Sequence, residues 1–66
     1  MNWEQVEGNW NQVRGKIKAK WGKLTDKEID VIAGKKDQLV GRLQESYGLT
    51  KEEATKEADE FMEKLH

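Results

Sequence analysis

Residues 3–24, WEQVEGNWNQVRGKIKAKWGKL, carry a large apolar side chain at every third or fourth position. This spacing is that of one face of an α-helix, whereas a β-strand would scatter the same residues over both of its faces. At about 100° per residue, five of these side chains fall within an arc of about 80°. They are Trp10, Val13, Ile17, Trp21 and Leu24. So narrow an apolar arc predicts a helix that packs against other helices rather than against a sheet.

Two capping boxes mark where later helices begin. Thr25 stands three residues before Glu28, and Thr50 stands three residues before Glu53. In this motif the threonine hydroxyl accepts a backbone N–H of the first turn while the glutamate reaches back to the threonine amide. We therefore expect helices to start directly after Thr25 and after Thr50.

Apolar residues at helical spacing complete three further helices. A short second helix contains Ile29 and Ile32 and is expected to end at Gly34 in the left-handed conformation. A third runs from near Lys35 to Gly48, and the last follows the second capping box. The predicted fold is all-α, a small single-domain bundle of four short helices.

The predicted domain spans residues 1–66 and has a small core. Its members are Trp10, Val13, Ile17, Trp21, Leu24, Ile32, Leu39, Leu43, Tyr47 and Phe61. Gly8 before Asn9 offers a break in the first helix, with Asn9 as N-cap and Gln12 at its third position, which would leave residues 1–7 as a loose turn. So small a core predicts a stability of only about a few kcal/mol.

The six glycines form two series with an interval of seven residues. Gly22, Gly34 and Gly48 stand where helices are expected to end. Gly15 and Gly41 fall inside helices, where glycine costs about 0.8–1.0 kcal/mol relative to alanine. Either close approach of another backbone or local softness of the helix would account for them.

Composition excludes several classes of protein. With 12 basic and 13 acidic side chains and a net charge of −1, bulk charge selects no partner. The absence of cysteine excludes disulfides, thiolate metal sites and thiol catalysis. The N-terminus lacks the basic and apolar regions of a signal peptide, and no apolar run approaches 18 residues. A cytoplasmic protein without membrane insertion is expected.

The candidate binding surface is basic. Arg14, Lys16, Lys18, Lys20 and Lys23 place five positive charges within ten residues, next to two tryptophans. Basic side chains beside aromatic rings can contact phosphates and stack on bases. On the helical wheel, however, Lys16, Lys20 and Lys23 point away from the tryptophans. This separation favours a solvated charged face over a nucleic-acid site.

The opposite end of the chain is acidic, since residues 50–66 hold six acids and three lysines. Attraction between the first and last helices is the simpler interpretation, and weak head-to-tail self-association is the alternative. We expect a monomer, and the residues identify no partner.

No catalytic residue, metal site or cofactor is predicted. Asp26, Glu28 and Asp30 have the alternate spacing that opens a calcium loop, but the required glycine and glutamate are missing further on. A single serine, Ser46, and a terminal histidine, His66, cannot assemble a nucleophilic triad. No acid stands in an apolar setting that would raise its pKa. We therefore do not expect an enzyme.

Two segments resemble the CsbD-like family of small bacterial stress-response proteins. They are GNWNQVRGKIKAKWGKLTD, residues 8–26, and GKKDQLVGRLQESYG, residues 34–48. The resemblance implies a small all-α bundle whose synthesis rises in general stress, with no established catalytic activity or ligand, and it carries over no site residue. The composition is also similar to that of hydrophilins, which are glycine-rich, strongly hydrophilic proteins associated with water stress.

Two functions follow as hypotheses. The first is a non-catalytic general stress-response protein of hydrophilin-like composition. The alternative is a weak nucleic-acid or protein-binding module that uses the basic first helix.

Overall fold

The fold consists of five helices joined by short loops. In the computed structural model, which describes residues 2–65, they are α1 (Trp3–Gly8), α2 (Trp10–Lys20), α3 (Asp26–Ile32), α4 (Lys36–Tyr47) and α5 (Lys51–Glu63). This part of the chain contains no strand. The all-α class is confirmed, but the helices number five rather than four because the first predicted helix is divided at Asn9.

Asn9 interrupts the predicted first helix. Its backbone (φ −111°, ψ 29°) is not helical, and its side-chain amide donates to the carbonyl of Gln5 at 3.0 Å instead of capping α2. A capping box forms seven residues earlier, where Asn2 Oδ1 accepts the Gln5 amide at 2.8 Å and Gln5 Oε1 accepts the Asn2 amide at 2.9 Å. The capping box predicted from Asn9 and Gln12 is therefore wrong, and α1 has its own N-cap.

Helix α2 ends at Lys20, before the last two residues of the apolar series. Trp21 leaves the helix (φ −119°, ψ 77°), although its amide still donates to the carbonyl of Ile17 at 2.8 Å. Gly22 therefore follows the helix stop, and its φ is not positive. Trp21 and Leu24 lie in a loop but remain buried, at 2% and 0% exposure.

Both predicted threonine capping boxes are confirmed. Thr25 Oγ1 accepts the Glu28 amide at 3.1 Å, and the Glu28 carboxylate accepts the Thr25 amide at 3.0 Å. Thr50 and Glu53 make the same two bonds at 3.1 and 2.9 Å. The backbone N–H of each threonine stabilises the charged carboxylate, so the pKa of Glu28 and that of Glu53 lie below the ordinary value of 4.5.

We expect these two boxes to make the protein less stable in acid. Because both pKa values are lowered by folding, the unfolded chain binds more protons than the folded chain as pH falls through 4.5 toward the lower folded values. The free energy of unfolding contributed by the boxes is therefore complete above this range and decreases within it. Urea titrations at about pH 6 and about pH 3.5 measure the loss.

The matched control is the double variant Glu28→Gln with Glu53→Gln. Glutamine makes the same bond to the cap amide, as Gln5 does in α1, but it does not titrate. The urea midpoint of this variant should move less between the two pH values than that of the unchanged protein. An equal loss in both proteins would contradict the assignment.

One apolar cluster fills the interior. Its members are Val6, Val13, Ile17, Trp21, Leu24, Ile29, Ile32, Leu39, Val40, Leu43, Ala54, Ala58, Phe61 and Leu65. Eight of the ten predicted core residues belong to it, whereas Trp10 and Tyr47 are half-buried at its edge. Trp10 opens α2 and Tyr47 closes α4, so each ring lacks a further helical turn beside it.

Helix α5 is attached to the bundle by side chains from two other elements. The Trp21 ring lies 5.0 Å from that of Phe61, measured between centroids, and its Nε1 donates to Glu57 at 3.2 Å. From α4, Lys36 pairs with Asp59 at 2.8 Å. The loop after α2 and the start of α4 therefore both contact α5.

Left-handed backbone ends α3 and α4. Gly48 (φ 65°) closes α4 with its amide donating to Gln44, and Gly34 (φ 84°) follows Ala33 (φ 47°) at the end of α3. The left-handed Gly34 is confirmed, whereas Ala33 was not predicted because L-residues other than glycine rarely adopt this conformation. A Cβ on Gly34 would stand 2.6 Å from the Glu7 Cα. Helix α1 therefore passes the α3–α4 loop at a distance that only glycine permits.

Gly15 and Gly41 lie inside helices, but no other backbone approaches them. Among the described residues, a Cβ at either position would meet no atom within 4 Å outside its own helix and chain neighbours. Close approach is therefore wrong as an explanation, and local softness of α2 and α4 remains.

Alanine at these two positions should stabilise the protein. We expect Gly15→Ala and Gly41→Ala each to raise the free energy of unfolding by about 0.8–1.0 kcal/mol, and their effects to add because they lie on different helices. Urea unfolding measures the gain. The reverse change Ala19→Gly, at an exposed position of α2, should lower stability by a similar amount. A loss of stability with either alanine would show that another atom of the protein occupies the space that the new Cβ needs.

Candidate functional site

The five cations of the candidate surface, Arg14, Lys16, Lys18, Lys20 and Lys23, are here called the basic segment. At about 100° per residue, Arg14 and Lys18 lie on one side of the apolar face of α2, and Lys16 and Lys20 lie on the other. Lys23 lies in the loop beyond the helix. The structure therefore distributes the basic segment around α2 instead of bringing it together on one face.

The cations on the α3 side bind groups of this chain. Arg14 Nη2 pairs with Asp30 Oδ1 of α3 at 2.6 Å. Lys18 Nζ donates to the backbone carbonyl of Leu24 at 2.7 Å, which satisfies an acceptor in the loop after α2. Arg14 therefore joins α2 to α3, and Lys18 joins α2 to the loop that follows it.

Two further cations lie over aromatic rings. Lys20 Nζ is 5.4 Å from the Trp21 ring centroid, and Lys23 Nζ is 5.2 Å from that of Tyr47, within the range of cation–π attraction. The Lys23 amide also donates to the Tyr47 hydroxyl at 3.1 Å. The predicted separation of Lys20 from the tryptophans is wrong at Trp21, because Trp21 has left the helix. Since Trp21 is only 2% exposed, its ring is not available to stack on a base.

Lys16 differs from the other four cations. It is exposed and makes no ion pair or hydrogen bond with residues 2–65. Four members of the basic segment thus contribute to the fold. Sequence reasoning missed their partners because Asp30 and Tyr47 belong to other helices, and no local pattern pairs them with α2.

The acids of α5 meet partners outside the basic segment. Glu57 accepts the indole N–H of Trp21, and Asp59 pairs with Lys36. None of the ion pairs within the described part of the chain joins α5 to α2. The predicted attraction between the first and last helices is therefore not made by an ion pair between α2 and α5.

The ionisable groups lie at the surface. No polar or charged side chain of residues 2–65 is buried, and these residues hold no group of three acids, histidines or cysteines placed for a metal ion. Glu28 serves in a helix cap and Asp30 pairs with Arg14. The pKa of Glu28 is lowered, opposite to the raised pKa that a carboxyl general acid needs. His66 lies outside the described residues, and Ser46 is half-buried in α4.

Across residues 2–65, no helix combines the length and the apolar character that crossing a bilayer requires.

Known proteins are similar to this chain over most of its length. The model of the CsbD-like family matches residues 4–56. The UPF0337 protein YjbJ of Escherichia coli O6:H1 is 53% identical over 66 residues, which are 100% of this chain and 94% of that protein. A UPF0337 protein of Pectobacterium atrosepticum is 61% identical over 57 residues, 86% of this chain and 83% of its own. Another, from Nitrosomonas europaea, is 49% identical over 61 residues, and the match covers 92% of this chain but 65% of that relative. The resemblance seen in the two sequence segments is thereby confirmed, and the chain belongs to the CsbD-like family.

Proposed function

We propose that this chain is a non-catalytic, cytoplasmic stress protein that acts through its hydrated surface, limiting aggregation or membrane damage when water is scarce. The burial pattern is the main support. Every buried side chain in residues 2–65 is apolar, while charged residues make up 38% of the chain. The stress role follows from the resemblance to CsbD-like stress-response proteins.

The arrangement of the charges suits a hydrated spacer between other macromolecules. Positive and negative side chains are nearly equal in number, 12 and 13, and some of them form surface pairs, such as Arg14 with Asp30 and Lys36 with Asp59. Surfaces of mixed charge hold water and avoid large fields of one sign. Many copies could therefore accumulate without strong attraction to one particular partner.

A drying experiment tests this proposal. A labile enzyme is dried and rehydrated with the unchanged protein, or with a variant in which exposed charges of α5 are exchanged, Glu52→Lys with Lys56→Glu. Both should preserve enzyme activity equally, because composition and hydration are the same. Protection no better than that of an equal mass of free amino acids, or loss of protection in the exchanged variant, would contradict the proposal.

Nucleic-acid binding by the basic segment makes a different prediction. Arg14 and Lys18 are unsuitable for testing it because their reversal would also disrupt contacts to α3 and to the loop. Reversal of Lys16 to glutamate avoids this problem, because Lys16 is exposed and makes no ion pair or hydrogen bond with residues 2–65. A gel shift of mixed RNA and DNA at low salt that the reversal abolishes would favour the binding module and contradict a purely surface-acting protein.

A further inference from the structure

Helix α1 is joined to α2 by one non-helical residue, Asn9, yet both helices follow one apolar register. Trp3 and Val6 continue the three- and four-residue steps that include Trp10 and Val13. A straight helix over residues 3–20 would therefore carry one continuous apolar face. In the folded chain this face is bent at Asn9, which allows α1 to lie against the α3–α4 loop.

The backbone at Asn9 is not helical, but the hydrogen bonds that its amide and carbonyl make follow the helical pattern. Its amide donates to the Gln5 carbonyl at 2.9 Å and its carbonyl accepts the Val13 amide at 3.2 Å, both in the helical pattern. To complete a helix, its φ of −111° would have to change to about −60° and its ψ of 29° to about −40°. Straightening would let the Trp10 amide donate to the Val6 carbonyl, which the bend prevents. A change of backbone at this one residue would therefore convert the bent arrangement of residues 3–20 into a straight helix.

The surface that receives α1 is specific. Val6 is fully buried, and Gly34 leaves just enough space for the backbone of Glu7. Lys35 Nζ pairs with the Glu7 carboxylate at 3.3 Å, although the two residues are 28 positions apart in the sequence. These contacts require the residues of α1 but do not depend on which copy of the chain supplies them.

The bent arrangement also leaves polar groups without partners. The indole Nε1 atoms of Trp3 and Trp10 are buried, and neither finds an acceptor among residues 2–65. Buried donors without acceptors disfavour the state that contains them. Exchange of α1 between copies would leave the surroundings of Trp3 unchanged, so only the donor of Trp10, which lies beside Asn9, weighs against the bend.

We propose that two copies of this chain exchange α1. Asn9 becomes helical in each, and each α1 leaves its own Gly34 site and occupies that of the second copy. A second copy is the fitting occupant because it supplies the same buried Val6 and the same Glu7 carboxylate for Lys35, so no apolar surface of α1 stays exposed. Exchange of an identical element across a short hinge is a low-cost route to a dimer.

The absence of cysteine permits a direct test. A Glu7→Cys chain and a Lys35→Cys chain are mixed, unfolded in urea, refolded together at high concentration and treated with a short bis-maleimide linker. The control mixture pairs Glu7→Cys with Lys56→Cys, at an exposed lysine of α5. We expect about tenfold more linked dimer from the first mixture, because exchange holds its two thiols together. A single chain carrying both Glu7→Cys and Lys35→Cys should link internally, which verifies the bent contact.

Changes at the hinge make the test quantitative. Asn9→Ala favours the straight helix and should raise the yield of linked dimer by about threefold per junction. Asn9→Ser introduces a residue whose helix propensity is close to that of asparagine and should leave the yield nearly unchanged. Circular dichroism confirms that each variant is folded before linking.

The proposal would be overturned if the mixture with Lys35→Cys and the mixture with Lys56→Cys gave equal yields of linked dimer. This comparison is made both with Asn9 and with Asn9→Ala. A second test of the proposal uses no introduced cysteine. Light scattering after size exclusion should give the refolded Asn9→Ala protein twice the chain mass of 7.7 kDa, in a fraction that grows with concentration. A mass of 7.7 kDa at every concentration would also overturn it.

Discussion

Replacement of Trp21 by alanine is expected to lower the free energy of unfolding by about 3–5 kcal/mol, the usual cost of deleting a buried tryptophan. Trp21 is 2% exposed, its ring contacts Phe61 at a centroid distance of 5.0 Å, and its indole N–H bonds Glu57 at 3.2 Å. Because so small a domain is stable by only about a few kcal/mol, most molecules should unfold. Far-ultraviolet circular dichroism measures the loss of helix.

Two further variants separate the contributions at Trp21. Trp21→Phe keeps an aromatic ring beside Phe61 but removes the bond to Glu57, so its stability should be intermediate. Trp10→Ala removes a tryptophan that is only half-buried and whose indole N–H has no acceptor among residues 2–65, and its cost should be smaller. A Trp21→Ala protein that keeps its helical spectrum and its urea midpoint would contradict the position of this residue in the core.

The second large effect is expected from Gly34→Ala. The positive φ of 84° alone costs an L-residue about 1–2 kcal/mol. In addition, the new Cβ would stand 2.6 Å from the Glu7 Cα, a contact that no side-chain rotation relieves because both atoms are fixed to backbone. Helix α1 must move away, and the burial of Val6, about 1.5–3 kcal/mol, decreases with it. We expect a total loss of about 3 kcal/mol or more in urea titrations.

Gly48→Ala is the matched control for this change. Gly48 also has a positive φ, of 65°, but among the described residues a Cβ there meets no atom within 4 Å. Its substitution should cost the backbone strain alone, about 1–2 kcal/mol. Hydrogen exchange of the α1 amides should quicken selectively in Gly34→Ala. Equal losses in both variants, with α1 still protected, would show that the approach of α1 to Gly34 is not close.

Features encoded by neighbouring residues were predictable from the sequence. The two threonine capping boxes form as expected because each uses only atoms within one helical turn. The apolar spacing identified eight of ten core residues correctly. It failed at Trp10 and Tyr47, where the helix ends and a periodic pattern no longer describes the neighbours. The end of α2 was missed for a related reason, since Trp21 stays in the core by turning out of the helix.

Contacts between distant residues were not predictable. The basic segment stood out as a charge cluster, but its actual partners are Asp30, the Leu24 carbonyl and the rings of Trp21 and Tyr47. Apart from the ring of Trp21, each depends on how loops and helices meet in space. The approach of α1 to Gly34 is similar, because a left-handed glycine was expected there but nothing in the sequence pairs it with Glu7.

The contacts of Lys18, Lys20 and Lys23 determine how the fold responds to concentrated electrolyte. The Debye length decreases from about 8 Å at 0.15 M to about 3 Å at 1 M, which weakens exposed pairs of opposite ions. These three ammonium groups instead meet a backbone carbonyl and two aromatic rings at short range. In concentrated salt these three attachments should therefore weaken less than the exposed pair of Arg14 with Asp30.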